Sequence, residues 1–232
     1  MTHVFVAGTD TGIGKTHVSA TLLHALRSRG RSACGMKPVA SGCRDTSAGR
    51  RNEDALALQA ASAPRPDYAA INPVALSAPV SPHLAADAEG RTLAMPPLRR
   101  AFDALTARYD HVVVEGVGGW LAPLGWDLPA AALARGFELP VILVVGLRLG
   151  CLNHSLLSAR VIQADGCRLL GWIGNRIDPA MDMADANIAT LKRLLPAPCL
   201  GLLAHGEPPD AAAARLAHAV DTICTHSNRS AA

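Results

Sequence analysis

The chain has 232 residues, half of them apolar, which fits one domain with a sizeable core. Aromatic residues make up only 3%, so Val, Leu, Ile and Ala must fill that core. The net charge of +3 is too slight to argue for a nucleic-acid or membrane partner, and no apolar run approaches the roughly 20 residues of a membrane span.

Met1-Thr2-His3 leads straight into a strand-like run without a secretory pattern, so a cytoplasmic setting with reduced thiols is expected. The six cysteines form no C-x-x-C pair and match no zinc spacing. His17 and His24 fall two turns apart on one predicted helix and read as ordinary histidines rather than metal ligands.

In chain order, short apolar runs alternate with helical periodicity. Residues 3–8 (HVFVAG), 33–39 (ACGMKPV), 111–116 (HVVVEG), 140–146 (PVILVVG), 169–175 (LLGWIGN) and 198–204 (PCLGLLA) read as strands. Most lack polar alternation, as parallel strands covered on both faces do. Between them, Val18, Leu22 and Leu26 fall on one helical face. Leu98, Phe102 and Leu105 do the same, as do Ile188, Leu191 and Leu195, and Leu216, Val220 and Ile223. The βαβα order argues an α/β fold in a single domain over 1–232, a three-layer, doubly wound, mostly parallel sheet. Ligands in such sheets sit beyond the carboxyl ends of the strands. One segment departs from the alternation. Residues 41–82 are rich in Ser, Pro, Asp and Arg, only 52–62 looks helical, and the excursion reads as a substrate-binding insertion.

The stretch from Val4 to Leu23 is a strand, a glycine-rich turn with Gly14-Lys15-Thr16, and a helix. This is the context of a P-loop, which makes the fold of P-loop NTPase type. Backbone N–H groups of Gly12, Ile13, Gly14 and the helix start at Lys15, Thr16 and His17 would cradle phosphates. Lys15 would reach the β and γ oxygens, and Thr16 would place a hydroxyl on Mg²⁺. The spacing departs from the common form, since Thr9 stands where the first glycine is expected. A dinucleotide fingerprint fails, because His17 occupies the place of its third glycine.

Three further positions choose among nucleotide-using classes. Lys37, ahead of a proline at the end of the second strand, is either an ammonium facing the same phosphates or a surface lysine. Asp54, near a helix start, is either a Mg²⁺ ligand or a carboxylate placed for the helix dipole. Glu115 ends a very apolar strand ahead of three glycines, which suits an acid meeting Mg²⁺ or a structural ion pair.

The segments GTDTGIGKT, KPVASG, NEDALAL, NPV, SPH, VEGVGGW, PVILVVGLRLGCLNHSLL and PAPCLG occur in this order from about residue 4 to 203. Together they resemble the dethiobiotin synthetase family, ATP-dependent ligases of biotin synthesis. The resemblance implies a homodimer with a shared active site, and 7,8-diaminononanoate, CO₂ and MgATP as substrates, with no organic cofactor. An amine captures CO₂, the carbamate attacks the γ-phosphate, and the second amine closes the ureido ring while phosphate leaves. Lys15 and Lys37 would neutralise the anions formed. Thr11 and Ser41 would hydrogen-bond the carbamate, and Thr16, Asp54 and Glu115 would share Mg²⁺. Gly116, Val117 and Gly118 would lie against the nucleotide. Asn175, followed by Arg176, would meet the adenine edge; read alone, it is equally a turn residue. Gly150, Cys151, Leu152 and Asn153 open a helix. Alone they read as a simple cap; the resemblance implies that they hold the substrate's terminal carboxylate from the partner subunit.

The chain departs from that family at Gly12, at Arg176 and over 204–210, where a proline–aromatic pair around the base is missing. A looser base pocket that tolerates other nucleoside triphosphates is therefore expected. A partition-type ATPase is the main rival, but the lysine such proteins carry five residues before Lys15 is Asp10 here. A glutamine-hydrolysing synthetase would need more than 232 residues.

Overall fold

The computed structural model describes residues 2–226. Six strands form one wholly parallel sheet: β1 (Val4–Gly8), β2 (Ala33–Met36), β3 (His111–Glu115), β4 (Val141–Leu147), β5 (Leu169–Arg176) and β6 (Cys199–Leu203). Their order across the sheet is β6-β5-β4-β1-β3-β2. The chain therefore reverses its winding between β1 and its neighbours, and the crevice at that reversal opens beyond the carboxyl ends of β1, β2 and β3.

Each strand is apolar on both faces because each face has its own core. Phe5, Ala7, Val112, Val114, Leu143 and Val145 point to one, against the helices Met95–Thr106, Cys151–Ala164 and Ala184–Leu194. Val4, Val6, Val113, Ile142 and Val144 point to the other, against the helices Lys15–Ser28 and Ala217–His226. Fully burying one such side chain contributes on the order of 1.5–3 kcal/mol, so two dry faces hold the central strands rigid. The predicted apolar faces are all buried; Val18, Leu22 and Leu26, for example, are each 0% exposed. Leu195 lies just past its helix, and Leu216 falls in a 3₁₀ turn at Ala211–Leu216.

The run over 33–39 is not one strand. β2 stops at Met36, the Lys37 N–H goes to the carbonyl of Ile71, and Pro38 has no N–H to continue a ladder. Val39–Ala40 then pairs in parallel with Val74–Ala75 as a separate ribbon. The excursion over 41–82 also holds more structure than its one expected helix. It contains a hairpin (Arg44–Thr46 with Gly49–Arg51), the helix Glu53–Ala61 and a turn of helix at Tyr68–Ile71. A second hairpin, Pro123–Gly125 with Leu128–Pro129, follows β3. Among the described residues no helix is long and apolar enough to cross a membrane.

Candidate active site

Eleven of the expected residues meet in one place. Thr11, Gly12, Gly14, Lys15, Thr16, Lys37, Ser41, Asp54, Glu115, Val117 and Gly118 line a cavity of about 400 Å³ beyond β1, β2 and β3. The loop's shape rests on Gly14, the cap of the Lys15–Ser28 helix, at φ 82°. That left-handed conformation is easy only for glycine. The helix start then turns its free N–H groups into the cavity.

Lys15 and Lys37 are both buried, 7% and 4% exposed. Lys15 Nζ donates to the Asp10 carbonyl at 2.9 Å, an arched posture that wraps the loop. Burial, and next the charge of Lys37, pulls the Lys15 ammonium down to about 8. Lys37 Nζ lies between two acids, Glu115 Oε1 at 2.5 Å and Asp54 Oδ2 at 3.1 Å, and donates also to the Gly116 carbonyl at 3.2 Å. Burial opposes its charge, but Glu115 and then Asp54 outweigh that, and its pKa is raised. Burial likewise works against ionised Asp54, yet the charge and hydrogen bond of Lys37 prevail and hold the carboxyl below its usual range.

The Thr16 hydroxyl donates to Glu115 Oε1 at 2.9 Å, while Glu115 Oε2 is buried without a hydrogen-bond partner. A buried, unpaired carboxylate oxygen is costly. With the Thr16 hydroxyl and Asp54 beside it, it forms the all-oxygen donor set that a hard divalent cation takes, the remaining ligands coming from phosphate and water. Glu115 is thus the ion-pair partner of Lys37 through Oε1, with Oε2 left as a candidate donor to the cation.

His17, Asn175, Arg176, His205, Glu207 and Pro208 line a second cavity of about 480 Å³. Gly12 borders both cavities and so marks their junction. Asn175 Nδ2 donates to the carbonyl of Ile13 at 2.9 Å, bracing the loop from β5. Arg176 reaches Asp185 at 2.5 Å and turns away from the loop. Ile13 itself is in the core, and Gly116 contributes through its carbonyl.

Gly150, Cys151, Leu152 and Asn153 line neither cavity of their own chain. Gly150, at φ 95°, caps the Cys151–Ala164 helix at the carboxyl end of β4, and Leu149 beside it is 91% exposed.

The model of the AAA domain family matches residues 2–210. The ATP-dependent dethiobiotin synthetase BioD of Xanthomonas euvesicatoria pv. vesicatoria (strain 85-10) is 57% identical over 209 residues, 90% of this chain and 93% of that protein. The protein of the same name from Xylella fastidiosa (strain 9a5c) is 58% identical over 215 residues, 91% and 95% of the two chains. This chain belongs to the dethiobiotin synthetase family. Its fold is shared more widely. The MinD cell division protein of Aquifex aeolicus superposes with a TM-score of 0.59 at 13% identity, over 98% of both chains. MinD from Pyrococcus horikoshii OT3, complexed with Mg-ADP, gives 0.57 at 18% identity over 99% and 97%. At such identities the likeness is one of fold alone, the P-loop NTPase architecture, so a partition-type role gains nothing from it.

Residues given no role in the sequence analysis position those that were given one. Asn52 lines the first cavity and accepts from the Ala55 N–H, fixing the helix start that carries Asp54. Tyr68 accepts from the Asn52 N–H at 2.7 Å and donates to Asn72, whose Nδ2 donates to the Lys37 carbonyl at 2.7 Å. The sequence signals for this chain of bonds were the NEDALAL segment, which opens on Asn52, and the Asn-Pro-Val segment at 72–74. Trp120 is a core residue, its Nε1 donating to Asp165 at 2.7 Å.

Proposed function

We propose that this protein is an ATP-dependent dethiobiotin synthetase that carboxylates 7,8-diaminononanoate with CO₂ and closes the ureido ring, releasing ADP and phosphate. The observation that carries this reading is Lys37. It is a second buried ammonium in a P-loop cavity, tied to Glu115 and Asp54 beside Lys15. Partition-type ATPases carry their extra lysine within the loop, where this chain has Asp10; here the second ammonium comes from the end of the second strand instead. A site that brings an amine-derived carbamate against a triphosphate calls for such charge, because every species along the path is an anion beside an anion.

The diamine's amine attacks CO₂, losing a proton and leaving a carbamate that the hydroxyls of Thr11 and Ser41 hydrogen-bond. A carbamate oxygen attacks the γ-phosphorus and ADP departs. Lys15 and Lys37 hold the charge that spreads over the transferring group, and positioning of this kind accounts for most catalysis of phosphoryl transfer. The second amine then attacks the carbamoyl carbon and expels phosphate. Thr16, Asp54 and Glu115 fit Mg²⁺, which when bound neutralises phosphate charge. The nucleoside end occupies the second cavity, beside Asn175 and Arg176, with Gly116, Val117 and Gly118 along the phosphates.

In the same reading the working unit is a homodimer in the cytoplasm. Gly150 to Asn153 of each subunit hold the terminal carboxylate of the substrate in the other, a role that suits a helix start lining neither of the two cavities described above. The decisive experiment mixes pure protein with diaminononanoate, bicarbonate and MgATP and looks for the cyclic urea by mass. Product formation dependent on all three supports the proposal; ATP hydrolysis indifferent to the diamine overturns it.

A further inference from the structure

A residue in the wall of the second cavity carries a polar atom with nothing to bond. Nε2 of His17 is shielded from solvent and has no hydrogen-bond partner, although its residue lines the cavity wall with Asn175 and Glu207. A buried polar atom left unpaired carries a desolvation cost that a ligand group removes on binding. The ring follows Thr16 directly in sequence, and its Cβ lies 3.8 Å from where a Cβ on Gly14 would stand. Gly14 lines the phosphate cavity and Gly12 borders both. The imidazole therefore sits next to the passage from phosphates to base, the stretch of a nucleotide spanned by its sugar.

We propose that the His17 side chain is a specificity-determining contact for the ribose, its Nε2 pairing with a sugar hydroxyl of the bound nucleotide. This deepens the reading above, which gave His17 only a backbone role, and it rests on that reading for the identity of the ligand. The chemistry fits a hydroxyl better than a base edge or a phosphate. His17 lines the second cavity and not the one that holds Lys15, Lys37 and Thr16, so its side chain stands on the sugar side of the loop. A hydroxyl both donates and accepts, so it meets Nε2 in either tautomer. The base edge already has Asn175, whose Oδ1 stays available while Nδ2 braces Ile13.

The test is calorimetric binding of Mg²⁺ complexes of ATP, 2′-deoxyATP, 3′-deoxyATP and inorganic tripolyphosphate, without diamine. The wild-type protein is expected to bind one deoxy analogue about 5- to 10-fold more weakly than ATP, on the scale of one lost hydrogen bond. In His17→Leu that ratio falls to about 1, while His17→Gln, which keeps a polar tip, retains part of it. Tripolyphosphate binds wild type and both variants within about 2-fold, which also reports that the loop is folded. Equal affinity of the wild type for ATP and both analogues, or an unchanged ratio in His17→Leu, overturns the contact. The proposed function fails separately: if wild-type protein discriminates the sugar but makes no cyclic urea, His17 stands and the synthetase reading falls.

Discussion

Lys37 and Glu115 form an ion pair across neighbouring strand ends, Nζ to Oε1 2.5 Å, with side chains 4% and 0% exposed. Removing one partner of a buried pair leaves an uncompensated charge and costs about 3–5 kcal/mol, whereas removing both charges together is far milder. Lys37→Met and Glu115→Gln are therefore each expected to lower the urea midpoint, and the double variant to recover most of the loss. Turnover behaves differently. All three variants lose about 10²-fold or more, because the charge stabilising the transferring phosphoryl is gone. Additive stability losses in the cycle, or near-normal turnover of Lys37→Met, would contradict this account.

Lys15 titrates at about 8 in the nucleotide-free protein because burial and Lys37 disfavour its charge. A triphosphate restores that charge, so its bound-state pKa is higher. Below pH 8 the lysine is already protonated and affinity is flat. Above it, binding must take up a proton, and affinity falls by up to about 10-fold per pH unit. Calorimetry at pH 8.5 in buffers of different ionisation enthalpy should register the uptake. A Kd for MgATP that is constant from pH 7 to 9.5 would rule it out, and Lys15→Arg should remove the slope.

The loop was legible in the sequence because its information is local: strand, Gly14-Lys15-Thr16, helix. The six strands were legible because two apolar faces leave a continuous hydrophobic run. What was not legible depends on pairings across distance. Lys37 and Glu115 are 78 positions apart and meet only because β2 lies beside β3 at the sheet edge. The Tyr68–Asn72–Lys37 bonds and the 44–51 hairpin lack a short-range pattern, since side-chain networks have no period and the hairpin turn at Ser47-Ala48 carries no Asn-Gly or Asp-Gly cue. The unpaired Nε2 of His17 is a property of packing, and a histidine in a helix start announces nothing of it.

At the amino ends of β1 and β3, burial, then His111, then the amino terminus hold His3 down to about 4, and burial lowers His111 as well. The Val112 N–H donates to His3 Nδ1 at 3.1 Å, so protonating that nitrogen breaks a strand contact. Both groups have folded pKa values below their unfolded ones. Their contribution is intact above pH 6.5 and is lost as pH falls toward 4, because only the unfolded chain takes up the protons. Discounted for its partial exposure, His3 should cost about 1 kcal/mol between pH 7 and 5. Urea unfolding at the two values checks this, and His3→Gln should flatten the difference.

The second cavity is lined by Pro208 and Pro209 and by no Phe, Tyr or Trp. Without a Phe, Tyr or Trp ring the base lacks a large stacking partner, and Asn175 Oδ1 accepts equally from the amino group of adenine or cytosine. The kcat/KM ratio of ATP over CTP is therefore expected below about 10³, which corresponds to roughly 4 kcal/mol. A larger ratio would show that the pocket reads adenine by contacts other than these.

Gly14 makes the sharpest steric prediction. A Cβ there would lie 2.2 Å from Asn175 Nδ2, the atom that braces Ile13, and φ 82° costs a non-glycine residue about 1–2 kcal/mol besides. Gly14→Ala should thus push Asn175 away, release the loop and weaken tripolyphosphate binding by about 10-fold or more, on the scale of 1.4 kcal/mol or above. Most of the fold should survive, since apart from Ile13 the residues of both cores come from outside the loop. The double variant Gly14→Ala/Asn175→Ala separates the two causes. If the clash dominates, deleting the amide restores part of the phosphate affinity even though the brace is lost. An equal loss in the single and double variants would place the damage in the strained backbone instead, and the amide of Asn175 would then be a bystander to the shape of the loop.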